Sequence, residues 1–332
     1  MTSNDNIWYA VVNPNAGSGR TVSEWPRASK ILSDNRIEFE YKTTWAIGAA
    51  VEITIKACAE GYRRFLAVGG DGTVHEVLEG ISRFVEMSDV AKTLDNGLEA
   101  AQLKDFTLAV MPIGSGNDWI KTLGIPKDFN SVAKLMKGGS FGHQDVFCLN
   151  LKDDNTSMER KSYMANVGGV GFDANVCKKV NFEKNTGKSG KILYLKALIS
   201  NILNFKTFEC SVEADGKEIF RGTTMSIALG AGKYSGGGML QVPDAVLDDG
   251  LLDITIIPLM PLHRIIRAVP GLFTGKLLKD NPELISAKCS SLSIKPLSSP
   301  APLVEVDGEV VGNLPVSISK LDGQLNVLKG SL

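Results

Sequence analysis

The residues with the clearest chemical potential sit in three glycine-rich loops, each behind an apolar run. Phe65-Leu66-Ala67-Val68 leads into Gly69-Gly70-Asp71-Gly72-Thr73. Phe106 to Pro112 leads into Ile113-Gly114-Ser115-Gly116-Asn117-Asp118, and Ile7 to Val12 into Asn13-Pro14-Asn15-Ala16-Gly17-Ser18-Gly19-Arg20. Backbone without a Cβ approaches a phosphate closely, and the start of a helix offers unpaired N–H groups to an anion. A single loop of this kind is also what a plain strand-to-helix turn looks like. Three of them in one alternating segment are hard to explain by turn chemistry alone, and they point to nucleotide binding.

The elements that must hold these loops follow from periodicity. Ile7–Val12, Glu38–Thr43, the Phe65 run and Phe106–Pro112 read as strands. Ser23–Asn35, Ala46–Glu60, a segment after Thr73, a short stretch ending near Leu123, and Ser131–Lys137 read as helices. This alternation predicts a parallel sheet covered on both faces, with ligands at the carboxyl ends of its strands. The pattern changes near Gly138-Gly139. From Asp145 onward the β-like runs are Asp145–Leu151, Lys161–Val167, Phe208–Ala214, Thr223–Gly230, Gly250–Ile257, Ser290–Ile294, Val304–Val306 and Gln324–Val327. Asp153-Asp154-Asn155, Asp215-Gly216, Asp307-Gly308 and Asp322-Gly323 read as hairpin turns. Two helical stretches, Lys191–Phe205 and Leu262–Lys279, interrupt a second domain that reads as a β-sandwich.

Bulk properties narrow the function classes. A chain of 332 residues suggests about two domains. A formal charge of −1 gives no reason to expect a nucleic-acid partner. The five cysteines are scattered and form no CxxC pair, and there are only three histidines. Disulfide frameworks and His- or Cys-rich metal sites are therefore disfavoured. No stretch reaches the ~18 apolar residues of a membrane span, and Met1–Asn6 lacks the layout of a signal peptide. The expectation is a reduced, cytoplasmic protein.

The motifs resemble the diacylglycerol kinase catalytic-domain superfamily, in particular the bacterial soluble lipid kinases, relatives of sphingosine and ceramide kinases and distantly of NAD kinases. The resemblance rests on Asn13-Pro14-Asn15-Ala16-Gly17, Gly69–Thr73 with Glu76, and Pro112–Asp118. It continues through Asn166-Val167-Gly168, Gly171-Phe172-Asp173, Gly236-Gly237-Gly238, Pro243-Asp244-Ala245, Asp248–Asp253 and Asp307-Gly308-Glu309. It implies an ATP-binding α/β domain at 1–143 plus 319–332 and a β-sandwich lipid-substrate domain at 144–318, with the active site in the cleft between them. The activity implied is transfer of the ATP γ-phosphate to a lipid hydroxyl with Mg²⁺, in phospholipid biosynthesis. Diacylglycerol is the leading acceptor and a sphingosine- or ceramide-type lipid the alternative. An inactive nucleotide- or lipid-binding regulator is a further alternative. A transient peripheral membrane contact and a homodimer are both compatible with the resemblance.

By the same resemblance Asn13, Thr44, Gly70, Asp71, Gly72, Thr73, Glu76 and Ser115 line the nucleotide. Asp71, Asp118 and Asp145 belong to a water–magnesium network. Asp249, with the carbonyls of Val246 and Leu251, holds a structural magnesium. Glu309 takes the proton of the lipid hydroxyl, with Asp307 positioning it or touching the nucleotide. Each position also has an ordinary structural reading. Thr44 is a strand-end threonine, Asp118 a helix N-cap, Asp145 a strand-edge acid, Asp248-Asp249-Gly250 a hairpin turn, and Glu309 a solvated hairpin glutamate. His75 stands where the bacterial enzymes often carry Asn, a feature the sphingosine-kinase branch shares. His263–Lys279, with Arg264, Arg267, Lys276 and Lys279, fits either a core-facing helix with a basic outer side or a helix on an anionic membrane. The Lys191–Ile199 stretch fits the same two readings.

Overall fold

The structure is a computed structural model that describes residues 4–94, 100–114, 116–152, 159–185 and 206–331. The chain divides into two units, Met1–Gln144 with Asp322–Leu332, and Asp145–Leu321. Sequence-predicted features at Asp153–Asn155 and Lys191–Phe205 lie outside the described residues, as does Ser115.

The N-terminal unit is built on a six-stranded sheet. It contains β1 (Trp8–Val12), β2 (Phe39–Thr43), β3 (Arg64–Gly69), β4 (Thr107–Pro112), β5 (Phe141–Gln144) and β19 (Leu325–Leu328), in the order β2-β1-β3-β4-β19-β5. All neighbours are parallel except β5, which runs against β19. Helices α1 (Arg20–Asp34), α2 (Ala49–Ala59) and α3 (Asp71–Leu94) follow β1, β2 and β3, and the short α4 (Trp119–Thr122) and α5 (Phe129–Gly138) follow β4. The central strands are continuous apolar runs because both faces are covered: Val11, Leu66, Val68, Leu108 and Met111 are fully buried. Register does the positioning. Thr43 pairs with Val12, Val12 with Val68 and Val68 with Met111. The residues that follow these four therefore leave the sheet side by side. Strand order reverses direction at β1 and β3, which is where such sheets open a crevice for ligands.

The C-terminal unit is antiparallel throughout its described pairings. Its strands are β6 (Phe147–Lys152), β7 (Glu159–Met164), β8 (Val167–Gly171), β9 (Phe208–Ala214), β10 (Lys217–Gly230), β13 (Leu252–Pro258), β14 (Ile285–Cys289), β15 (Ser291–Pro296), β16 (Leu303–Val306), β17 (Glu309–Asn313) and β18 (Val316–Lys320). They form one long folded sheet in the order β17-β16-β8-β10-β9-β15-β18-β6-β7, with β13 and β14 branching from β10. The pair β11 (Tyr234–Ser235) and β12 (Met239–Leu240) stands apart. The sheet encloses a sandwich-like core that includes Phe147, Leu149, Ile227, Leu229, Ile254, Ile294 and Ile318.

Among the described residues three helices decorate this sheet: α6 (Phe172–Asn185), α7 (Leu262–Thr274) and α8 (Leu277–Asp280). The stretch read as one helix over Leu262–Lys279 is thus two, because Gly275 takes a left-handed φ of 70° and ends α7. Asp322-Gly323 is a second correction. It does not close a hairpin but carries the chain from β18 in one sheet to β19 in the other.

Candidate functional site

The three glycine loops of the N-terminal unit pack against one another. Gly70 and Gly114 touch through their backbones, since a Cβ on Gly114 would lie 2.4 Å from the Gly70 Cα. A Cβ on Gly17 would lie 2.4 Å from the carbonyl oxygen of Ile113. That same oxygen accepts from Arg20 Nη2 at 2.9 Å, while Arg20 Nε donates to Gly17 O at 3.1 Å. Arg20 therefore laces the first loop to the third. Asn13 Nδ2 donates to Thr73 Oγ1 at 3.1 Å, which laces the first loop to the second. A Cβ on Gly69 would collide with the same threonine hydroxyl at 2.3 Å. At Gly69, Gly70 and Gly114 glycine is required by close approach, and at Gly17 by close approach together with a left-handed φ of 60°.

The acids fall into two groups. Asp71 opens α3, and its Oδ1 accepts the backbone N–H of Trp119 at 3.0 Å. Asp118 occupies the N-cap position of α4, yet its side chain makes no cap bond and pairs instead with Lys121. The cap of α4 is thus Asp71, supplied from another loop. Both carboxylates face Gly116, whose Cβ position would lie 3.1 Å from Asp71 Oδ2 and 3.7 Å from Asp118 Oδ2. Next to them Asn117, at φ 51°, donates to Gly114 O at 2.8 Å. Its Oδ1 is buried without a hydrogen-bond partner among the described residues. Such an acceptor is costly unless something donates to it. Two converging carboxylate oxygens and a buried acceptor fit Mg²⁺, which takes oxygen ligands and keeps several donating waters. Asn117 is the functional candidate that the sequence motif contains but sequence reasoning left without a role.

The remaining nucleotide-facing candidates differ in placement. Gly72 is exposed in the first turn of α3, and Thr73 is buried beneath it. Thr44 follows β2 and is buried, with its N–H donating to Val12 O at 2.9 Å. Glu76 has a structural occupation. Its two oxygens accept from the backbone of Gly48 and Ala50 at 3.1 Å each, tying α3 to the N-terminus of α2. His75 is buried on α3, with Nε2 4.0 Å from Glu79 Oε2.

In the C-terminal unit Asp145 is buried and accepts from Gly250 N–H at 2.6 Å, while its own N–H donates to Leu247 O at 2.7 Å. It anchors the Asp248-Asp249-Gly250 turn. Asp249 Oδ1 accepts from Leu251 N–H at 3.0 Å. Asp249, with the Val246 and Leu251 carbonyls, has oxygen chemistry suited to magnesium, but a cation is already there. Lys288 Nζ lies 3.5 Å from Asp249 Oδ2 and 3.0 Å from Asp253 Oδ2, and donates to Asp244 O at 3.1 Å. Lys288 therefore competes with any divalent cation for this turn. The acids also hold the lysine's pKa above its ordinary value against the opposing effect of its partial burial. Lys288→Met is expected to lower stability by about 1–2 kcal/mol, less than a fully buried pair would, because the lysine is partly exposed. It is also expected to make the melting temperature rise on adding magnesium, which the wild type should not show. Thermal melts with and without MgCl₂ check both.

Glu309 starts β17, just past the Asp307-Gly308 turn, and is exposed. The turn beneath it is fixed from three sides. Asp307, at φ 51°, accepts from Ala165 N–H at 3.0 Å and from Asn166 N–H at 2.8 Å. Gly308 O accepts from Asn181 Nδ2 at 2.9 Å and from Cys177 Sγ at 2.7 Å. Gly308 N–H donates to Glu305 Oε2 at 3.0 Å. Asn181 Nδ2 also reaches Glu309 Oε2 at 3.2 Å. Asn166 links the turn onward, through Nδ2 to Tyr234 O at 2.6 Å. Asp307 thus holds the turn from which Glu309 starts.

Glu305 is buried and faces Asp173 across Gly169, whose Cβ position would lie 3.2 Å from Glu305 Oε1 and 3.3 Å from Asp173 Oδ2. Asp173 accepts from Ser226 Oγ at 2.6 Å and from Gln241 Nε2 at 2.8 Å. Burial pushes both carboxyls up, and the Asp173 charge adds to the rise at Glu305, which stands well above the usual carboxylate range. The folded protein therefore holds protons that the unfolded chain releases above roughly pH 4. Stability from this pair is present at low pH and is lost as pH climbs toward the raised values. Glu305→Gln is expected to flatten the fall in melting temperature between pH 5 and 8. A pH series of thermal melts reads it directly.

Asp173, Ser226 and Gln241 form the polar end of an apolar cavity within the C-terminal unit, of roughly 600 Å³ including its open mouth. Its walls include Met225, Ile257, Met260 and Leu284, with Ile265 and Leu272 of α7.

Two family models match this chain. The diacylglycerol kinase catalytic domain matches residues 8–149, and the YegS C-terminal NAD kinase beta sandwich-like domain matches residues 166–329. A Pseudomonas putida protein named "Probable lipid kinase YegS-like" is 26% identical over 227 residues, covering 68% of this chain and 66% of that relative. A Salmonella dublin protein named "Probable lipid kinase YegS" is 25% identical over 312 residues, covering 93% and 92%. The crystal structure of a diacylglycerol kinase from Bacillus anthracis superposes with a TM-score of 0.68 at 21% identity, covering 98% of this chain and 97% of that one. With both models matched in order along the chain, the protein belongs to the lipid kinase family of the diacylglycerol kinase catalytic-domain superfamily.

Proposed function

We propose that the protein transfers the γ-phosphate of ATP, with Mg²⁺, to the hydroxyl of diacylglycerol, giving phosphatidic acid. The observation that carries this reading is the convergence of Asp71 and Asp118 on Gly116, beside the glycine-rich N-terminus of α3. Phosphoryl transfer needs the phosphates positioned and their charge neutralised, and little else from the protein. When bound, Mg²⁺ neutralises charge on the phosphate oxygens. Gly70 and Gly72 leave backbone open to the phosphates, and the first N–H groups of α3 lack intrahelical acceptors and favour an anion. Asn13, Thr44 and Thr73 lie at the neighbouring strand ends and contact the nucleotide. Asp71 and Asp118 hold the waters of the cation, with Asn117 Oδ1 accepting from one.

In this reading the C-terminal unit supplies the acceptor side. Glu309 Oε2, oriented by Asn181, takes the proton of the attacking hydroxyl, which is a poor nucleophile until that proton has somewhere to go. The apolar cavity ending at Asp173, Ser226 and Gln241 suits an acyl chain whose polar end stays hydrogen-bonded. No helix among the described residues is long and apolar enough to cross a membrane. A cytoplasmic enzyme that meets its lipid at a membrane surface agrees with that observation.

The test is transfer of ³²P from γ-labelled ATP to a panel of diacylglycerol, ceramide and sphingosine in mixed micelles, and to NAD. Label on diacylglycerol, abolished by chelating magnesium, is the expected result. Label on ceramide or sphingosine would move the acceptor to the sphingoid class. Label on NAD alone, or on nothing, would overturn the lipid-kinase reading.

A further inference from the structure

We infer that α7 docks the protein on an anionic lipid bilayer, and that the same helix forms a wall of the cavity assigned above to the lipid. The inference rests on the lipid-acceptor reading for the second clause only. The helix is apolar over an arc too wide for the protein to cover. Ile265, Ala268 and Leu272 turn inward and line the cavity. Leu262, Ile266 and Phe273 lie on the adjoining face and stay 44%, 54% and 48% exposed. Their spacing of four and seven residues stacks them into one stripe along the helix. Leu259, just before the helix, is also 62% exposed. Large apolar side chains in a contiguous row mark a surface that meets something.

The charge around the stripe identifies the partner. Between Asp253 and Asp280 the sequence holds no acidic residue, while it holds Arg264, Arg267, Lys276 and Lys279. Arg264 pairs with Glu283 at 3.1 Å. Among the described residues, Arg267, Lys276 and Lys279 pair with no carboxylate, and all three are exposed. An apolar stripe flanked by unneutralised cations matches a helix lying in the interface of a membrane with anionic headgroups. A second copy of this chain would bring the same cations against themselves, so self-association through this face is disfavoured. Docking through α7 would set the cavity wall against the acyl region, so that a lipid could pass beneath the helix without crossing water.

The experiment is co-sedimentation of the full chain with vesicles of phosphatidylcholine alone and with phosphatidylglycerol added. The variants are Ile266→Asp/Phe273→Asp and, separately, Arg267→Glu/Lys276→Glu. None of the four residues lines the cavity or the proposed active site. Wild type is expected to bind the anionic vesicles, less so at high salt. Each double variant is expected to weaken binding by roughly tenfold or more. Turnover of a dispersed short-chain diacylglycerol should persist in both. Wild-type binding left unchanged by both variants would overturn the inference. So would a stripe-dependent dimer in sedimentation velocity, with no vesicle binding. If wild type phosphorylates no lipid yet binds vesicles through α7, the kinase reading fails and the docking surface stands.

Discussion

Glu309→Gln is expected to lower the turnover of lipid phosphorylation by about 10²–10⁴-fold, the range associated with losing a general base. The substitution preserves shape and the contact from Asn181, but removes the basicity that accepts the hydroxyl proton. Glu309 is exposed, and the turn below it is held by Asp307, Asn181 and Glu305. The variant should therefore fold normally and bind ATP with wild-type affinity. Steady-state kinetics with diacylglycerol, together with nucleotide binding measured by calorimetry, separates the two effects. A fall in kcat with unchanged nucleotide affinity is the signature. Normal turnover would remove Glu309 from the chemistry.

Asp71→Asn is the second large effect, expected to cost about 10²–10³-fold in kcat, as losing one preorganised electrostatic contact does. An asparagine Oδ1 can still accept the Trp119 N–H, so α4 keeps its cap and the melting temperature should move little. What is lost is the charge that faces Gly116 beside Asp118. The magnesium concentration needed for half-maximal activity should therefore rise. Activity titrated against MgCl₂, with a thermal melt of the same sample, tests the claim. An unchanged magnesium requirement would place Asp71 in a purely structural role.

The sequence is a good guide where local composition decides the structure. β1, β3 and β4 are recognisable because buried parallel strands are apolar runs that stop at a turn-forming loop. The same rule fails for Leu303-Val304-Glu305-Val306. Neighbours cover both faces of β16 there, so Glu305 is buried with no polar–apolar alternation to announce it. β5, β14 and β18 are short, partly polar strands whose stability comes from partners far along the chain. Asp322-Gly323 has the local chemistry of a hairpin, and only the pairing of β19 with β4 and β5 shows that it is a crossing. At the candidate site the motifs marked the right loops but not the tasks within them. Glu76 and Asp145 hold backbone N–H groups, Asp71 caps α4, and Asn117 carries the acceptor that lacks a partner. Those assignments depend on which loop a side chain reaches, and residue spacing is silent about that.

The return of β19 to the first sheet has a consequence for how the protein is made. During synthesis β4 is made early, yet its neighbour β19 is not translated until after the whole of Asp145–Leu321. The described strands of the C-terminal unit pair among themselves and need no strand from the other unit. The N-terminal sheet must wait with β4 and β5 unjoined. A chain released before Leu325 would thus carry a finished second unit on an unfinished first one, with an exposed apolar edge of the kind that pairs with other chains. The glycine-rich loops thus sit on the half whose sheet is completed last in sequence order.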